Sequence, residues 1–143
     1  MKIIQLKTRK NGNFPNNPAL PVILYKGVLN LTEEDNEQVV ENIFNSNNWS
    51  NSWVNGIYDY HHYHSITHEV LGILNGKCTV MLGGEKGALY KLDKGDVLII
   101  PAGVAHKKME ASENFRCMGA YPRGMTYDTL YGRADELPAA EAN

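Results

Sequence analysis

The chain has 143 residues, of which 43% are hydrophobic and 21% charged, and its formal net charge is −2. The length suits one compact domain, and the near-neutral balance without a basic stripe gives no sign of a nucleic-acid binder. No run approaches the ~20 apolar residues of a membrane helix, and the opening MKIIQLKTRKNGNF lacks the apolar centre of a signal peptide, so a cytoplasmic location with no membrane partner is expected.

Residues 10–21 (KNGNFPNNPALP), rich in Asn and Pro, read as an extended arm and turn. A short strand over 22–25 (VILY) follows. Thr32 is suited to cap a helix, with Glu33 and Glu34 in its first turn and Asp35 three residues on. The segment 33–45 then places Val39, Val40, Ile43 and Phe44 on one face at helical spacing. The run NSNNWSNSW ends this helix, and Trp49 and Trp53 read as packing anchors.

From Gly56 the pattern changes to short strands. Asn75-Gly76 signals a two-residue hairpin between LGIL and CTVML. Gly83-Gly84 and Asp93-Lys94-Gly95 mark the next turns, and VLII reads as a strand buried on both faces and stopped by Pro101. FRCMGAY forms a further strand. Regular short strands between glycine turns argue for a sandwich or barrel. The Ala- and Glu-rich tail after Tyr131 reads as less ordered. Cys78 and Cys117 lie far apart with no Cys-x-x-Cys pattern and read as buried reduced thiols.

The five histidines fall in two places: His61, His62, His64 and His68 in one window, and His106 alone. In a strand, residues two apart point to one face about 6.6 Å apart, so His62 and His64 can converge on one ion. Glu69, opening the next strand, can complete a two-His-one-carboxylate face. By the same parity His61 and His68 point away. Two other readings stay open on spacing alone. His64 and His68 stand at i and i+4, as in helical zinc sites, although His-Glu-x-x-His is absent and Ile66 and Thr67 favour strand. The histidines also fit the exposed face of an edge strand.

Gly56-x5-His62-x-His64-x4-Glu69-x6-Gly76 resembles the first motif of the cupin superfamily in every spacing, and Gly95-x5-Pro101-x-Gly103-x2-His106 resembles most of the second. The flanks NNPALPVILYKG and AYPRGMTYD are similar to those of small bacterial YjlB-like cupins. The resemblance implies an all-β fold, a double-stranded β-helix or jelly-roll barrel with one N-terminal helix. It implies a single cupin domain over 1–143, with an arm, strand and helix in 1–55, the core in 56–121 and an extension in 122–143. It also implies one divalent metal ion (Fe, Mn, Ni, Zn or Co) held by His62, His64, Glu69 and His106. Where the family pattern places Asn, three residues intervening after His106, this chain has Glu110. Family habit implies a homodimer, for which the apolar PVILY strand is suited to extend a partner's sheet.

A six-coordinate ion with four protein ligands keeps two positions for water or substrate, and such an ion polarises oxygen or activates water. The expected function is that of an enzyme acting on a small oxygen-rich metabolite by dioxygenase- or decarboxylase-like chemistry. A non-catalytic ligand-binding or sensing cupin and a metal-dependent sugar isomerase or epimerase are the alternatives, since a fold alone does not select a reaction. Strand parity places Tyr58 and Tyr60 beside His62, Leu71 and Ile73 beside Glu69, and Lys108 and Glu110 beside His106. Tyr60 and Glu110 are the candidates for acid–base work, with core packing the competing reading for Tyr60. Lys108 reads as a solvated rim charge and Arg123 as a surface residue.

Overall fold

Short apolar runs separated by glycine and asparagine turns leave a chain built of strands four to seven residues long. The computed structural model describes residues 2–32 and 34–143. In chain order these form β1 (Lys2–Leu6), β2 (Val22–Lys26), α1 (Asn36–Ser46), β3 (Trp49–Asn55), β4 (Glu69–Asn75), β5 (Lys77–Leu82), β6 (Ala88–Asp93), β7 (Val97–Ile100), β8 (His106–Ala111) and β9 (Arg116–Pro122). A 3-10 turn (Ala134–Glu136) and the short helix α2 (Leu137–Ala142) follow. A six-stranded antiparallel sheet in the order β1-β2-β7-β4-β9-β3 faces a three-stranded sheet in the order β6-β5-β8. Between them Val22, Leu24, Leu71, Ile73, Leu98 and Cys117 of the first sheet pack against Cys78, Val80, Leu82 and Leu92 of the second. This is the all-β jelly roll expected of the family. The N-terminal segment is not an appendage, because β1, β2 and β3 supply three of the six strands of the larger sheet.

The central strand β4 is buried on both faces. Leu71 and Ile73 point into the barrel, while Val70 and Leu74 meet Val40 and Phe44 of α1 in a second core on the outer side. Gly72 lets the helix approach, since a Cβ there would lie 2.9 Å from Phe44 Cζ and 3.0 Å from Val40 Cγ1. A continuous apolar run, not an alternating one, is what such a two-sided strand requires.

Several sequence expectations are corrected. Helix α1 starts at Asn36, after Asp35 in a left-handed conformation (φ 58°), and no side chain caps it. The Thr32 hydroxyl instead accepts from Glu34 N at 3.3 Å and donates to Glu34 O at 3.0 Å, a local turn that competes with capping. Glu33 lies outside the described residues. The buried stripe is narrower than expected: Val40 and Phe44 are buried, but Val39 and Ile43 are 37% and 39% exposed, because the helix rests on one sheet surface only. Asn75-Gly76 does not close a hairpin. β4 and β5 belong to different sheets, and Gly76 (φ 72°) makes the corner between them. A side chain there would lie 2.4 Å from Ser112 Oγ and 2.9 Å from the Phe115 Cα, so both the backbone angle and the close approach call for glycine. The PVILY strand cannot extend a partner's sheet, since β2 is already paired on both edges, to β1 and to β7. The tail is also ordered: Glu136 Oε1 accepts from Tyr131 N and Arg133 N at 3.0 and 2.8 Å, and α2 follows.

Cys78 and Cys117 are buried free thiols. Burial pushes Cys78 up to about 11 and raises Cys117 as well. Among the described residues no helix is long and apolar enough to cross a membrane.

Candidate metal centre

The histidine segment does not lie in a regular strand. It crosses the end of the barrel, held at each residue by a different partner. His62 and His106 exchange backbone hydrogen bonds of 3.2 and 2.9 Å, Tyr63 and Leu130 exchange two of 2.9 Å, and His64 O accepts from Gly103 N at 2.7 Å. His62 and His106 are thereby paired across an isolated bridge, which brings their rings to a centroid distance of 4.0 Å. His64 follows on the same side, two residues on. Glu69 begins β4 on the barrel side, in the same parity as Leu71.

Each of the three imidazoles is oriented through Nδ1. His62 Nδ1 meets Tyr60 O at 3.1 Å, His64 Nδ1 meets Asp128 O at 2.5 Å, and His106 Nδ1 meets Val104 O at 3.1 Å. A carbonyl only accepts, so Nδ1 carries the proton in each ring and Nε2 is left to present a lone pair. The ligating atoms of His62, His64 and His106 all lie within 4.8 Å of one another. Glu69 Oε1 lies 3.5 Å from His64 Nε2 and 3.4 Å from His106 Nε2. The carboxylate's other oxygen accepts from Tyr121 Oη at 2.9 Å, and Tyr121 Oη accepts in turn from Trp53 Nε1 at 2.8 Å. All four converging side chains are nearly fully buried.

Burial and the neighbouring His106 lower His62 to about 3, so it stays neutral. Burial also opposes charge on His64 and Glu69, but their mutual hydrogen bond and attraction win: His64 is raised, and Glu69, held by His106 and His64, is lowered. Burial and the Glu69 charge raise Tyr121, which keeps its proton for the carboxylate. In the absence of an ion a proton on His64 Nε2 faces Glu69; once that proton is displaced, three imidazole lone pairs and a carboxylate oxygen face one small space. Electron-rich donors arranged so need a cation between them, and the N3O set suits a first-row divalent ion. The residues fit the metal that the fold implies.

The centre opens into a cavity of about 200 Å³ lined by Trp53, Ile57, Tyr58, Leu71, Tyr127 and Thr129 among others. His62, His64, Glu69 and His106 all line it. Tyr58 and Leu71, placed beside the metal by parity, are lining residues too, whereas Ile73 is packed in the core below. The two acid–base candidates are corrected. Tyr60 lies beside His62 as parity places it, ring centroids 5.9 Å apart, but it is 40% exposed, stacks on Tyr58 at 4.9 Å and lies outside the cavity lining. Glu110 is turned outward by a bulge: β8 pairs Lys108 with Val80 and Glu110 with Thr79, so one extra residue lies between them and inverts the parity. Lys108 keeps the inward register but lies outside the cavity lining. His61 packs on Phe14 and approaches Glu85, and His68 Nδ1 accepts from Ala102 N, so both stand away from the centre. Arg123 stands in the turn after β9, its N–H on Asn48 O.

Three contributors carry no spacing signal in the sequence. Trp53, read as a packing anchor, also holds the Tyr121 hydroxyl. Tyr121 sits two residues beyond Gly119 on β9 and is legible only by continuing the β4 to β9 register. Asp128 comes from the C-terminal extension: its carboxylate accepts from Ser65 N at 2.7 Å, Ile66 N at 3.4 Å and the Ser65 hydroxyl, while its carbonyl orients His64.

No protein-family model matches the sequence. The chain is 43% identical over 130 residues to a protein of Bacillus subtilis strain 168 named Uncharacterized protein YjlB, a match covering 91% of this chain and 76% of that protein. Among solved structures it is similar to acireductone dioxygenase from Bacillus anthracis with a cadmium ion in its active centre, at 14% identity and TM-score 0.50, over 77% of this chain and 83% of that one. A DUF861 family protein from Thermotoga maritima is 24% identical with TM-score 0.38, over 62% of this chain and 92% of that one. At such identities the likeness to acireductone dioxygenase shows the fold alone.

Proposed function

The chain belongs to the YjlB family and has the cupin fold, and on that premise we propose that it is a mononuclear metalloenzyme acting on a small oxygen-rich molecule. His62, His64, His106 and Glu69 hold the ion. The observation that carries this reading is the locking of three Nδ1 atoms onto backbone carbonyls, which aims three Nε2 atoms at one point beside a buried carboxylate. A divalent ion there supplies Lewis acidity and, if redox-active, a route to O2.

The chain's own residues do the rest. Glu69 supplies the anionic charge, and Tyr121 with Trp53 fixes its orientation. Ile57, Leu71 and Trp53 exclude water from one side of the cavity. Apart from Glu69 and the three histidines, the lining holds neither a carboxylate nor an imidazole. That leaves the phenols of Tyr58 and Tyr127 as the side chains able to move a proton, which ranks dioxygenase- or decarboxylase-like chemistry ahead of isomerase or epimerase chemistry. The same scarcity of acid–base groups supports simple ligand binding as the second reading.

The test is metal per chain at equal loading for the wild type, His62→Ala, His64→Ala, His106→Ala and Glu69→Gln, with His61→Ala and His68→Ala as controls. The first four variants lose most of the metal and the controls keep it, within ~10-fold in affinity. Equal loss in a control, or no loss in any variant, rejects the site. O2-uptake screening of the loaded protein then separates the enzyme from the binding protein.

A further inference from the structure

We propose that the cavity is built for a small flat ring that offers two neighbouring oxygens and carries no charge elsewhere, the catechol class of ligand. The inference rests on the metal reading and adds to it what the walls select. Four protein donors leave a six-coordinate ion two positions, which a ligand with adjacent oxygens fills together. A divalent ion beside one carboxylate, Glu69, has one positive charge left, and a singly ionised pair of oxygens balances it.

Beyond the ion, the lining contains no Lys or Arg. A carboxylate or phosphate elsewhere on the ligand has no cationic partner and is left desolvated. What the walls offer instead is flat and apolar. Trp53 and Tyr127, the latter stacked on Tyr121 at 4.5 Å and 18°, line the cavity together with Ile57 and Leu71. Trp53 Nε1 and Tyr121 Oη are already engaged with each other and with Glu69, so neither keeps a free donor for the ligand. The remaining polar side chains of the lining, Asn55, Tyr58, Tyr127 and Thr129, are neutral. The volume of about 200 Å³ falls below the ~300–1,000 Å³ of pockets for drug-sized ligands and sets the size at a single substituted ring. At the mouth, Tyr58 and Tyr127 are 52% and 45% exposed, and the Tyr58 to Tyr60 stack continues the aromatic surface outward.

The test uses the full chain loaded with cobalt(II), whose visible absorption reports a ligand reaching the ion without any turnover. Catechol and 3,4-dihydroxybenzoate are titrated anaerobically at one pH, and cobalt per chain is measured in every sample. Catechol is expected to shift the cobalt bands and to bind at least ~10-fold more tightly than 3,4-dihydroxybenzoate, which differs by one unpartnered carboxylate. Tyr127→Leu, which removes an exposed ring and leaves every donor to the ion, is expected to weaken catechol ~5-fold, compared at equal bound cobalt. Equal or tighter binding of 3,4-dihydroxybenzoate overturns the charge argument. With cobalt bound, no spectral response to catechol, or unchanged affinity in Tyr127→Leu, overturns the ligand class while leaving the metal site standing. Failure of the wild type to retain cobalt overturns both.

Discussion

Replacing Tyr121 by Phe removes one oxygen atom and keeps the ring. That oxygen has two partners: it donates to Glu69 Oε2 at 2.9 Å and accepts from Trp53 Nε1 at 2.8 Å. The first is a bond to a charged acceptor at a fully buried site, worth about 1.5–3 kcal/mol. The second leaves the indole N–H unpaired, but Trp53 lines the cavity and water there can take over part of the bond. The stack on Tyr127 survives in Phe, so packing loss is small. The expected destabilisation of the metal-free protein is therefore about 2–3 kcal/mol, read as a lower urea midpoint at unchanged slope. In the loaded protein the same change frees Glu69 from the group that orients it, and affinity is expected to fall ~10–100-fold in competition with a chromophoric chelator. Tyr127→Phe, which removes a hydroxyl with no protein partner at the centre, is the control and is expected to stay within ~0.5 kcal/mol of the wild type. A Tyr121→Phe protein of wild-type stability and metal affinity refutes the argument that this hydroxyl positions the carboxylate.

Gly119→Ala is expected to loosen the same network by another route. Its Cβ would lie 2.2 Å from Trp53 Cζ2, so the indole must move, with a loss of about 1–3 kcal/mol and a shift in tryptophan fluorescence. Asp128→Ala removes the carboxylate clamp on Ser65 and Ile66 and so loosens the segment whose backbone carbonyl at 128 orients His64, and metal affinity measured by chelator competition is expected to fall ~10-fold. Tyr60→Phe and Glu110→Gln are expected to retain wild-type metal content by elemental analysis, since neither side chain lines the cavity. Asp96, buried and accepting from Gly27 N, Asp93 N and Lys26 Nζ, anchors the β6 to β7 turn, and Asp96→Ala is expected to cost about 3 kcal/mol by urea unfolding. Burial lowers Lys26, but Asp96 and Asp93 raise it above its ordinary 10.5. Its contribution is therefore full from neutral pH up to about 10.5 and lost as pH rises through the raised value, so the stability gap between wild type and Lys26→Met should be constant over that neutral-to-alkaline range and close above it.

Much of this molecule is legible in local order. The strands at 69–75, 97–100 and 116–122 show as apolar runs between glycines because residues buried on both faces have no polar alternation to keep. The pair His62 and His64, with Glu69 five residues on, shows because local spacing sets which side chains share a side. That logic fails where the chain leaves regular geometry. Parity carried from His106 to Glu110 crosses a bulge. The extra residue reverses the side to which Glu110 points. The hairpin expected at Asn75-Gly76 fails for a related reason: a two-residue turn signal records that the backbone bends, not which sheet receives the next strand.

Residue order therefore determined the strand-rich class, the interior histidine pair and the separate His106, each a property of side-chain types at short spacing. Only the folded chain decided that His62 and His106 bridge, that Tyr121 from the far end of β9 reaches Glu69, and that Asp128 from the C-terminal extension sets the ring of His64. Those contacts join residues 44, 52 and 64 positions apart. Their geometry depends on sheet order and register, which no local pattern encodes, because it is set by which arrangement of the strands buries both cores at once.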